Sequence, residues 1–272
     1  MSNLATKQVP SDFGDVVYYS YYNPKAPEVN LYIHGLGYCR SWFPRHFDAY
    51  DLNRYSWIVP DLIGHGDSAR PDDPSAYTME SQAEYLLDIL LEENVNRIRI
   101  LAHSMGGPIA ISLLEQLENN GSIKPMLLLY LEGNLDAGDT FFSSKVVSMP
   151  LEKYRQKFEH WCQKIQDETE DESMKSWVRA LESAGPFTIW ASSNDLVTVS
   201  KTDNLLPRLF DVFDGPMYFV FGGENAGKYT SEKLVKESGE QILYVPNAGH
   251  AMHEDNPTGF WSIVFRLIEK HS

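Results

Sequence analysis

The sequence predicts an α/β fold in which a mostly parallel sheet is flanked by helices and carries an inserted helical cap. Short runs rich in aliphatic, β-branched and aromatic residues alternate with longer amphipathic stretches, which is typical of strand and helix units around such a sheet. The later short runs are nearly continuous hydrophobic segments, as strands covered on both faces should be. Between Glu132 and Met217 no strand pattern occurs for about eighty residues, which indicates the insertion.

The composition is that of a globular protein with an excess of acid. The 272 residues are 43% hydrophobic and 22% charged, which is enough for a sizeable core in one large domain or two small ones. Because 38 Asp and Glu outnumber 23 Lys and Arg, the net charge is −15. That field repels phosphate backbones and anionic lipid surfaces, so we expect neither nucleic acid nor a membrane as a partner.

The cysteines and the apolar runs predict a cytoplasmic protein. Two cysteines, Cys39 and Cys162, cannot form a disulfide framework, which favours a reducing compartment. The first residues lack the apolar region of a signal peptide. The best apolar run, residues 126–131, is too short to span a bilayer. None of these features predicts an oligomeric state.

The first two predicted strands would form a hairpin. Residues 16–22 and 29–34 are apolar, β-rich runs joined through the turn at residues 23–25. Further runs of the same kind predict strands at residues 56–60, 97–102, 126–132, 217–221 and 241–245.

Apolar residues at three- and four-residue steps predict the helices. Those of the sheet domain are predicted at residues 78–93, 105–117 and 257–270. Thr78 is a suitable first residue for its helix, with an acid in the first turn.

The insertion is predicted to be a helical lid. Its helices cover residues 151–166 and 172–181, and they flank the acidic run at residues 167–172, which we interpret as a solvated turn. We expect the core domain to comprise residues 1–134 and 206–272, and the lid residues 135–205.

Ser104 stands where a predicted strand runs directly into a predicted helix. The sequence Ala102-His103-Ser104-Met105-Gly106 has the pattern of a nucleophile elbow, with Ala102 in place of the first glycine. Such a turn pushes the serine hydroxyl out over the sheet edge, and the helix N-terminus favours developing negative charge. A serine-glycine turn that caps a helix would use the same residues.

A second glycine turn follows the strand at residues 29–34. It contains Gly35 and Gly37, and it can turn the backbone N–H of Leu36 towards the serine. Together with the N–H of Met105, that group would form an oxyanion hole. The loop at residues 61–68, after the next strand, has glycines and acids that suit a sharp turn beside it.

His250 lies in a loop between the last predicted strand and the last predicted helix. An imidazole there can reach over Ser104 and act first as general base, then as general acid. The nearby His253 makes a metal site conceivable, but the spacing matches none of the zinc-helix motifs, so we predict no metal.

These motifs, in this order, resemble the α/β-hydrolase superfamily over about residues 29–268. The resemblance implies the fold, a lid and a catalytic triad in the chain order serine, acid, histidine. It says almost nothing about the substrate, because many activities share this fold.

The position of the acid departs from the common pattern of the family. In most relatives the acid is an aspartate after the strand equivalent to residues 217–221, where this chain has Asn225. Some members, the haloalkane dehalogenases among them, take the acid from the end of the preceding core strand, which here is Glu132. The resemblance therefore favours Glu132, ahead of Glu224 and then of Asp136 or Asp139.

The turn at residues 222–229 nearly spells a phosphate-binding loop. It lacks the hydroxyl that would bind magnesium, because Tyr229 stands at that position, and Glu224 would repel phosphates. We expect a glycine-rich turn beside the active site.

The sequence thus predicts a cofactor-free serine hydrolase of the carboxylesterase type. Aromatic residues are dense around the lid and no cluster of Lys or Arg stands there, which favours a small to medium uncharged ester or related acyl compound. Two alternatives remain open: hydrolysis of a carbon–carbon or amide bond on the same fold, and a non-catalytic module that binds a ligand in the pocket.

Overall fold

Eight strands form one sheet in the computed structural model, which describes residues 4–202 and 204–272. The strands, numbered β1 to β8 in chain order, are Ala5–Val9, Val16–Tyr21, Val29–Ile33, Ser56–Pro60, Arg97–His103, Lys124–Leu131, Met217–Gly222 and Ile242–Val245. Their order across the sheet is β1-β2-β4-β3-β5-β6-β7-β8. The pairs β1/β2 and β2/β4 are antiparallel and the others are parallel, so the predicted mostly parallel sheet is confirmed.

Helices flank this sheet on both faces. The α-helices of the described residues, numbered α1 to α11, are Phe43–Ala49, Met79–Glu92, Gly106–Asn120, Phe141–Val147, Leu151–Glu168, Glu172–Ala184, Pro186–Thr202, Leu205–Val212, Thr230–Ser238, Met252–Asp255 and Pro257–Lys270. Short 3₁₀ helices cover Arg40–Trp42, Leu52–Arg54, Pro74–Tyr77, Ala137–Thr140 and Gly223–Asn225.

The central strands are buried on both faces. All five residues of β3 are buried. Leu31 and Ile33 belong to the apolar cluster that includes α2 and α3, whereas Tyr32 belongs to the cluster of α1 and α11 on the opposite face. This double coverage is the physical reason why the later strands show continuous apolar runs and no alternation.

The predicted hairpin of residues 16–22 and 29–34 is wrong. The two strands form but do not pair with each other, because β4 lies between them: Tyr19 faces Val59, and Leu31 faces Ile58. A strand inside a buried sheet needs a hydrogen-bonding partner strand on each edge, and β4 is that partner for both β2 and β3. The sequence also gave no sign of β1, whose first four residues are exposed.

Five α-helices, α4 to α8, lie between β6 and β7 in the described chain. Two of them, α5 and α6, match the predicted lid helices, but α4, α7 and α8 were not predicted. Helix α7 buries Ser192 and Ser193 together with its apolar residues, so it lacks a clear apolar stripe. The division into core and lid stays a prediction; the expected boundary after residue 205 falls at the first residue of α8.

The acidic run at residues 167–172 is only partly a turn. Helix α5 extends to Glu168 and α6 begins at Glu172, so the connection is residues 169–171. Asp171 caps α6 by accepting the backbone N–H groups of Ser173 and Met174, at 2.9 and 3.2 Å. The predicted turn was too long at both ends, because acidic residues also occur in the first and last turns of helices.

No helix in the described part of the chain is both long and apolar enough to cross a lipid bilayer.

Candidate active site

Ser104 occupies a strained turn between β5 and α3. Its φ angle of 55° lies in the left-handed region, where a residue with a side chain is uncommon. Its backbone N–H donates to the carbonyl of Leu131 at 3.1 Å, which ties the turn to β6. A Cβ atom at Gly106 would come within 2.6 Å of the Ile33 carbonyl oxygen, so strand and helix cross too closely there for a side chain.

Alanine in place of the first glycine of the motif has a simple explanation. Ala102 is a buried residue in the middle of the sheet, paired with Ile33 on one side and Tyr130 on the other. It lies in regular strand, and the positive φ angle of the turn begins only at Ser104. The position therefore does not need the conformational freedom of glycine.

His250 and Glu132 meet across the carboxyl ends of the strands. The Nδ1 atom of His250 lies 2.7 Å from Oε2 of Glu132. The histidine side chain is 37% exposed, whereas the Glu132 carboxylate is fully buried. Glu132 directly follows β6 with a φ angle of 42°, and its backbone N–H donates to Val220 at 2.9 Å. This turn aims the carboxylate at the loop that carries His250.

Neutral donors surround the Glu132 carboxylate. The backbone N–H of Gly222 donates to Oε1 at 2.6 Å, and the side-chain amide of Asn225 lies 3.1 Å from each oxygen. The Tyr229 hydroxyl lies 3.4 Å from His250 Nδ1, beside the same pair. Burial and the nearby Glu132 charge raise the pKa of Tyr229, so it is a neutral donor. The buried carboxylate is therefore solvated by the protein.

The other candidate acids are used differently. Glu224 is exposed at the same cavity, and its backbone N–H donates to Ala248 at 3.0 Å. Asp136 caps the 3₁₀ helix that follows β6 and accepts the Thr230 hydroxyl at 2.6 Å. Asp139 accepts the N–H of Leu135 at 2.8 Å, and burial raises its pKa to about 6. The structure brings Glu132, and neither aspartate, to the His250 ring.

The glycine loop after β3 lies directly beside Ser104. A Cβ atom at Gly35 would stand 2.8 Å from Ser104 Cβ, so only glycine allows this approach. Leu36 and Met105 are both buried, and neither backbone N–H has a hydrogen-bond partner among residues 4–202 and 204–272. Two unengaged N–H donors thus flank the serine, one on each of the predicted segments.

Two buried histidines fasten the glycine loop. His65 Nε2 accepts the N–H of Gly37 at 3.2 Å, and its Nδ1 faces the Ile63 carbonyl at 3.1 Å. His34 Nε2 accepts the N–H of Leu62 at 3.0 Å, and its Nδ1 faces the Gly35 carbonyl at 2.9 Å. Each ring must therefore be neutral, with its proton on Nδ1.

Burial is the main cause that keeps these rings neutral. It lowers the pKa of His65 to about 4 and that of His34 well below its ordinary value, the latter with a further contribution from the neighbouring His65. A buried ion pair anchors the same loop, since the backbone N–H of Arg40 donates to Asp61 at 2.6 Å and its guanidinium pairs with that carboxylate.

Sequence reasoning missed His103, which lies behind the candidate residues. Its Nε2–H donates to the backbone carbonyl of His250 at 2.9 Å, and the two rings are 4.8 Å apart. Burial, followed by the charge of His250, lowers the pKa of His103 well below its ordinary value. A histidine between a strand and the elbow serine was visible in the sequence, but its partner, 147 residues away, was not.

His253 is buried among aromatic side chains. Burial lowers its pKa to about 3, and its ring packs 4.7 Å from that of Trp42. Within the described ranges, no group of three or more His, Cys, Asp or Glu residues is placed to hold a metal ion.

Ser104, His250 and Glu132 line one cavity of about 450 Å³. The segment between β6 and β7 also lines it, with Phe141, Phe142, Asp171 and Trp177 among others. Phe142 and Trp177 pack edge to face, with ring centroids 4.9 Å apart. The Trp177 indole N–H also donates to the Leu36 carbonyl at 3.2 Å, which ties α6 to the glycine loop.

Comparisons with known proteins agree with this architecture. A rice protein, a probable 1-acylglycerol-3-phosphate O-acyltransferase of Oryza sativa subsp. japonica, is 23% identical over 88% of this chain and 66% of its own length. Lipase 1 of Psychrobacter immobilis is 30% identical over 50% of this chain and 42% of its own length. This chain thus spans less than two thirds of either relative.

Solved structures match over nearly the whole chain. An esterase from Exiguobacterium antarcticum aligns with a TM-score of 0.76 at 15% identity, covering 97% of this chain and 100% of its own. An enzyme that degrades N-acyl homoserine lactone aligns with a TM-score of 0.70 at 18% identity, covering 95% and 99%. At these identities the likeness concerns the fold. The model of the alpha/beta hydrolase family matches residues 31–262, and the chain belongs to that family.

Proposed function

We propose that the protein is a serine hydrolase that cleaves a small to medium carboxylic ester through an acyl-enzyme. The observation that carries this proposal is the 2.7 Å contact between His250 Nδ1 and Glu132, in a cavity that Ser104 also lines. Because the carboxylate engages Nδ1, Nε2 is the nitrogen that serves the nucleophile.

In the first half of the reaction, the Ser104 hydroxyl attacks the ester carbonyl while His250 Nε2 takes its proton. The imidazolium so formed is stabilised by Glu132, which the Gly222 N–H and the Asn225 amide hold in place. His250 then gives the proton to the departing alcohol, and the carbon–oxygen bond of the ester breaks. The acyl group remains on Ser104.

In the second half, a water molecule attacks the acyl-enzyme. His250 takes a proton from the water and returns it to Ser104 when the carboxylic acid departs. In both halves the backbone N–H groups of Leu36 and Met105 stabilise the oxyanion. Loss of one such donor in a hydrolase typically costs about 3 kcal/mol of barrier.

The cavity supports the substrate size. Its volume of about 450 Å³ lies towards the lower end of ordinary ligand sites. Phe141, Phe142 and Trp177 supply apolar surface for an acyl or alcohol chain. Within the described residues, no Lys or Arg lines the cavity, so it offers no partner for a carboxylate or phosphate on the substrate.

The proposal is tested by labelling with a fluorophosphonate and by the turnover of p-nitrophenyl esters. We expect intact-mass analysis to show one adduct, on Ser104, and Ser104→Ala to lose both the adduct and the turnover. Ester turnover that survives in Ser104→Ala would contradict the nucleophile assignment. Ser104-dependent cleavage of amides or β-diketones without ester cleavage would favour the other bond types, and absence of any turnover would favour a ligand-binding module.

A further inference from the structure

The mouth of the candidate active-site cavity carries negative charge from several separate elements. Asp171 caps α6, Asp255 ends α10, Glu224 lies in the turn after β7, and Asp139 follows β6. None of these four carboxylates forms an ion pair with Lys or Arg in the part of the chain that the structure describes. Their charges therefore add within one cavity.

Tyr38 is an independent sign of a ligand at this place. The residue is 7% exposed and lines the same cavity, yet its hydroxyl has no hydrogen-bond partner within residues 4–202 and 204–272. Its ring is fixed edge-on against His103 and His253, with centroids 5.6 and 5.5 Å away. A hydroxyl that lines a cavity and has no partner in the protein is left for a ligand or water to satisfy.

Nearby carboxylates also affect the Tyr38 hydroxyl. Burial is the main cause that raises its pKa, and Glu254, Tyr32, Asp255 and Asp171 contribute in that order. The hydroxyl is neutral and can accept a hydrogen bond as well as donate one. An accepting hydroxyl in a cavity that is also lined by carboxylates without ion pairs matches a group that carries both positive charge and N–H donors.

We propose that the substrate is an ester that bears an ammonium group, which binds at the mouth between Asp171, Asp255 and the Tyr38 hydroxyl. This replaces the uncharged substrate that the sequence predicts, and it rests on the proposed ester hydrolysis. The aromatic side chains of Phe141 and Trp177 line the same cavity, and aromatic faces also attract organic cations.

An organic cation fits better than a metal ion. The carboxylates are not clustered closely enough to hold a metal, since no group of three or more suitable ligands occurs in the described chain. Arg45 and Arg179 lie near Glu254, which does not line the cavity, and in the described chain neither forms an ion pair with one of the four carboxylates.

The test compares esters of equal shape and different charge. One pair is dimethylaminoethyl acetate and isoamyl acetate, which places the charge in the alcohol. The other is the methyl esters of dimethylaminobutanoic and isoheptanoic acid, which places it in the acyl chain. We expect kcat/KM to favour the protonated ester by about tenfold in at least one pair, mainly through KM, and less at high salt.

Asparagine variants isolate the charge from the fold. Asp171→Asn keeps the capping oxygen of α6, and Asp255→Asn keeps an acceptor for the Gly249 N–H, which donates to Asp255 at 2.8 Å. Each of these variants should lower the preference for the ammonium ester about threefold. Tyr38→Phe, which removes the acceptor for the ammonium N–H, should lower the preference by the same factor. The control Glu170→Gln, an exposed acid on the same connection as Asp171, removes one charge outside the cavity and should leave the preference unchanged.

The outcomes separate this proposal from the proposed function. Ser104-dependent hydrolysis with no preference for the ammonium ester in either pair would overturn the cation site and leave the esterase intact. If no ester is cleaved, calorimetric titration of the Ser104→Ala protein with both pairs of esters still tests the cation site. Tighter binding of the ammonium esters, lost in Asp171→Asn, supports the cation site, and equal binding of charged and neutral esters refutes it.

Discussion

Asn225 donates its side-chain amide to both carboxylate oxygens of Glu132, 3.1 Å from each. In the common family pattern this position supplies the acid, whereas here it solvates an acid that comes from the neighbouring strand. The amide stabilises the charged form of Glu132 without competing for the Nδ1 proton of His250. A neutral donor at residue 225 thus suits a carboxylate at the end of β6.

Asn225→Ala should lower kcat about tenfold, because a hydrogen bond to a buried charge is worth about 1.5–3 kcal/mol. KM should change little, since Asn225 acts through Glu132. Asn225→Asp should be more damaging, because two adjacent carboxylates raise the pKa of one of them. The acid limb of the kcat/KM profile should then move to higher pH, a shift that simple loss of folded protein would not produce.

Exchange of the two candidate acids for amides should give unequal results. Glu132→Gln should lower kcat about 10³- to 10⁴-fold, because an amide neither holds the imidazole tautomer nor stabilises the imidazolium. Glu224→Gln is the matched control, because this exposed side chain lines the same cavity but does not bond to His250. Steady-state assays measure kcat for both variants, and equal losses of kcat would contradict the role of Glu132.

Acid should destabilise the protein through His34 and His65. Their folded-state pKa values lie below the ordinary 6.5, so above that pH neither state binds a proton and they contribute no pH dependence. Below pH 6.5 the unfolded chain binds protons that the native protein excludes, and stability falls with falling pH. For His65, with a pKa of about 4, the loss at pH 5 is about 2 kcal/mol.

Urea unfolding at pH 7.5 and pH 5 measures this effect. His65→Gln keeps an acceptor for the Gly37 N–H but does not titrate, so its stability should depend less on pH than that of the wild type. An unchanged difference between the two pH values in His65→Gln would show that the acid sensitivity arises elsewhere.

Gly35→Ala should impair catalysis more than folding. The new methyl group would stand 2.8 Å from Ser104 Cβ, so the glycine loop and the serine must move apart by several tenths of an ångström. We expect kcat to fall about a hundredfold, as for other small displacements of reacting groups. Gly106→Ala is the comparison, since its methyl group would meet the Ile33 carbonyl in the backbone and should mainly lower the free energy of unfolding. Activity assays and thermal unfolding of both variants separate the two effects.

The glycine, serine and histidine motifs could be read from sequence because they combine a local pattern with a fixed place beside a strand. The turn around Ser104 shows in the sequence as a serine with a small residue two positions away on each side, and the burial of β3 and β5 on both faces shows as continuous apolar runs. By contrast, β1 lacks a clear alternation of apolar residues and α7 lacks a clear apolar stripe. The position of β4 between β2 and β3 depends on hydrogen bonds between strand edges, which no local sequence pattern indicates.

The sequence by itself determined the fold class, the elbow at Ser104 and the short set of acids that contained Glu132. The tertiary structure decided which acid meets His250, because that contact joins residues 118 apart and depends on the turn after β6. It also brought Asn225 to Glu132, His103 to His250, and Tyr38 to the charged mouth of the cavity. Hydrogen bonds of this kind depend on distance and angle in space, which spacing along the chain does not encode.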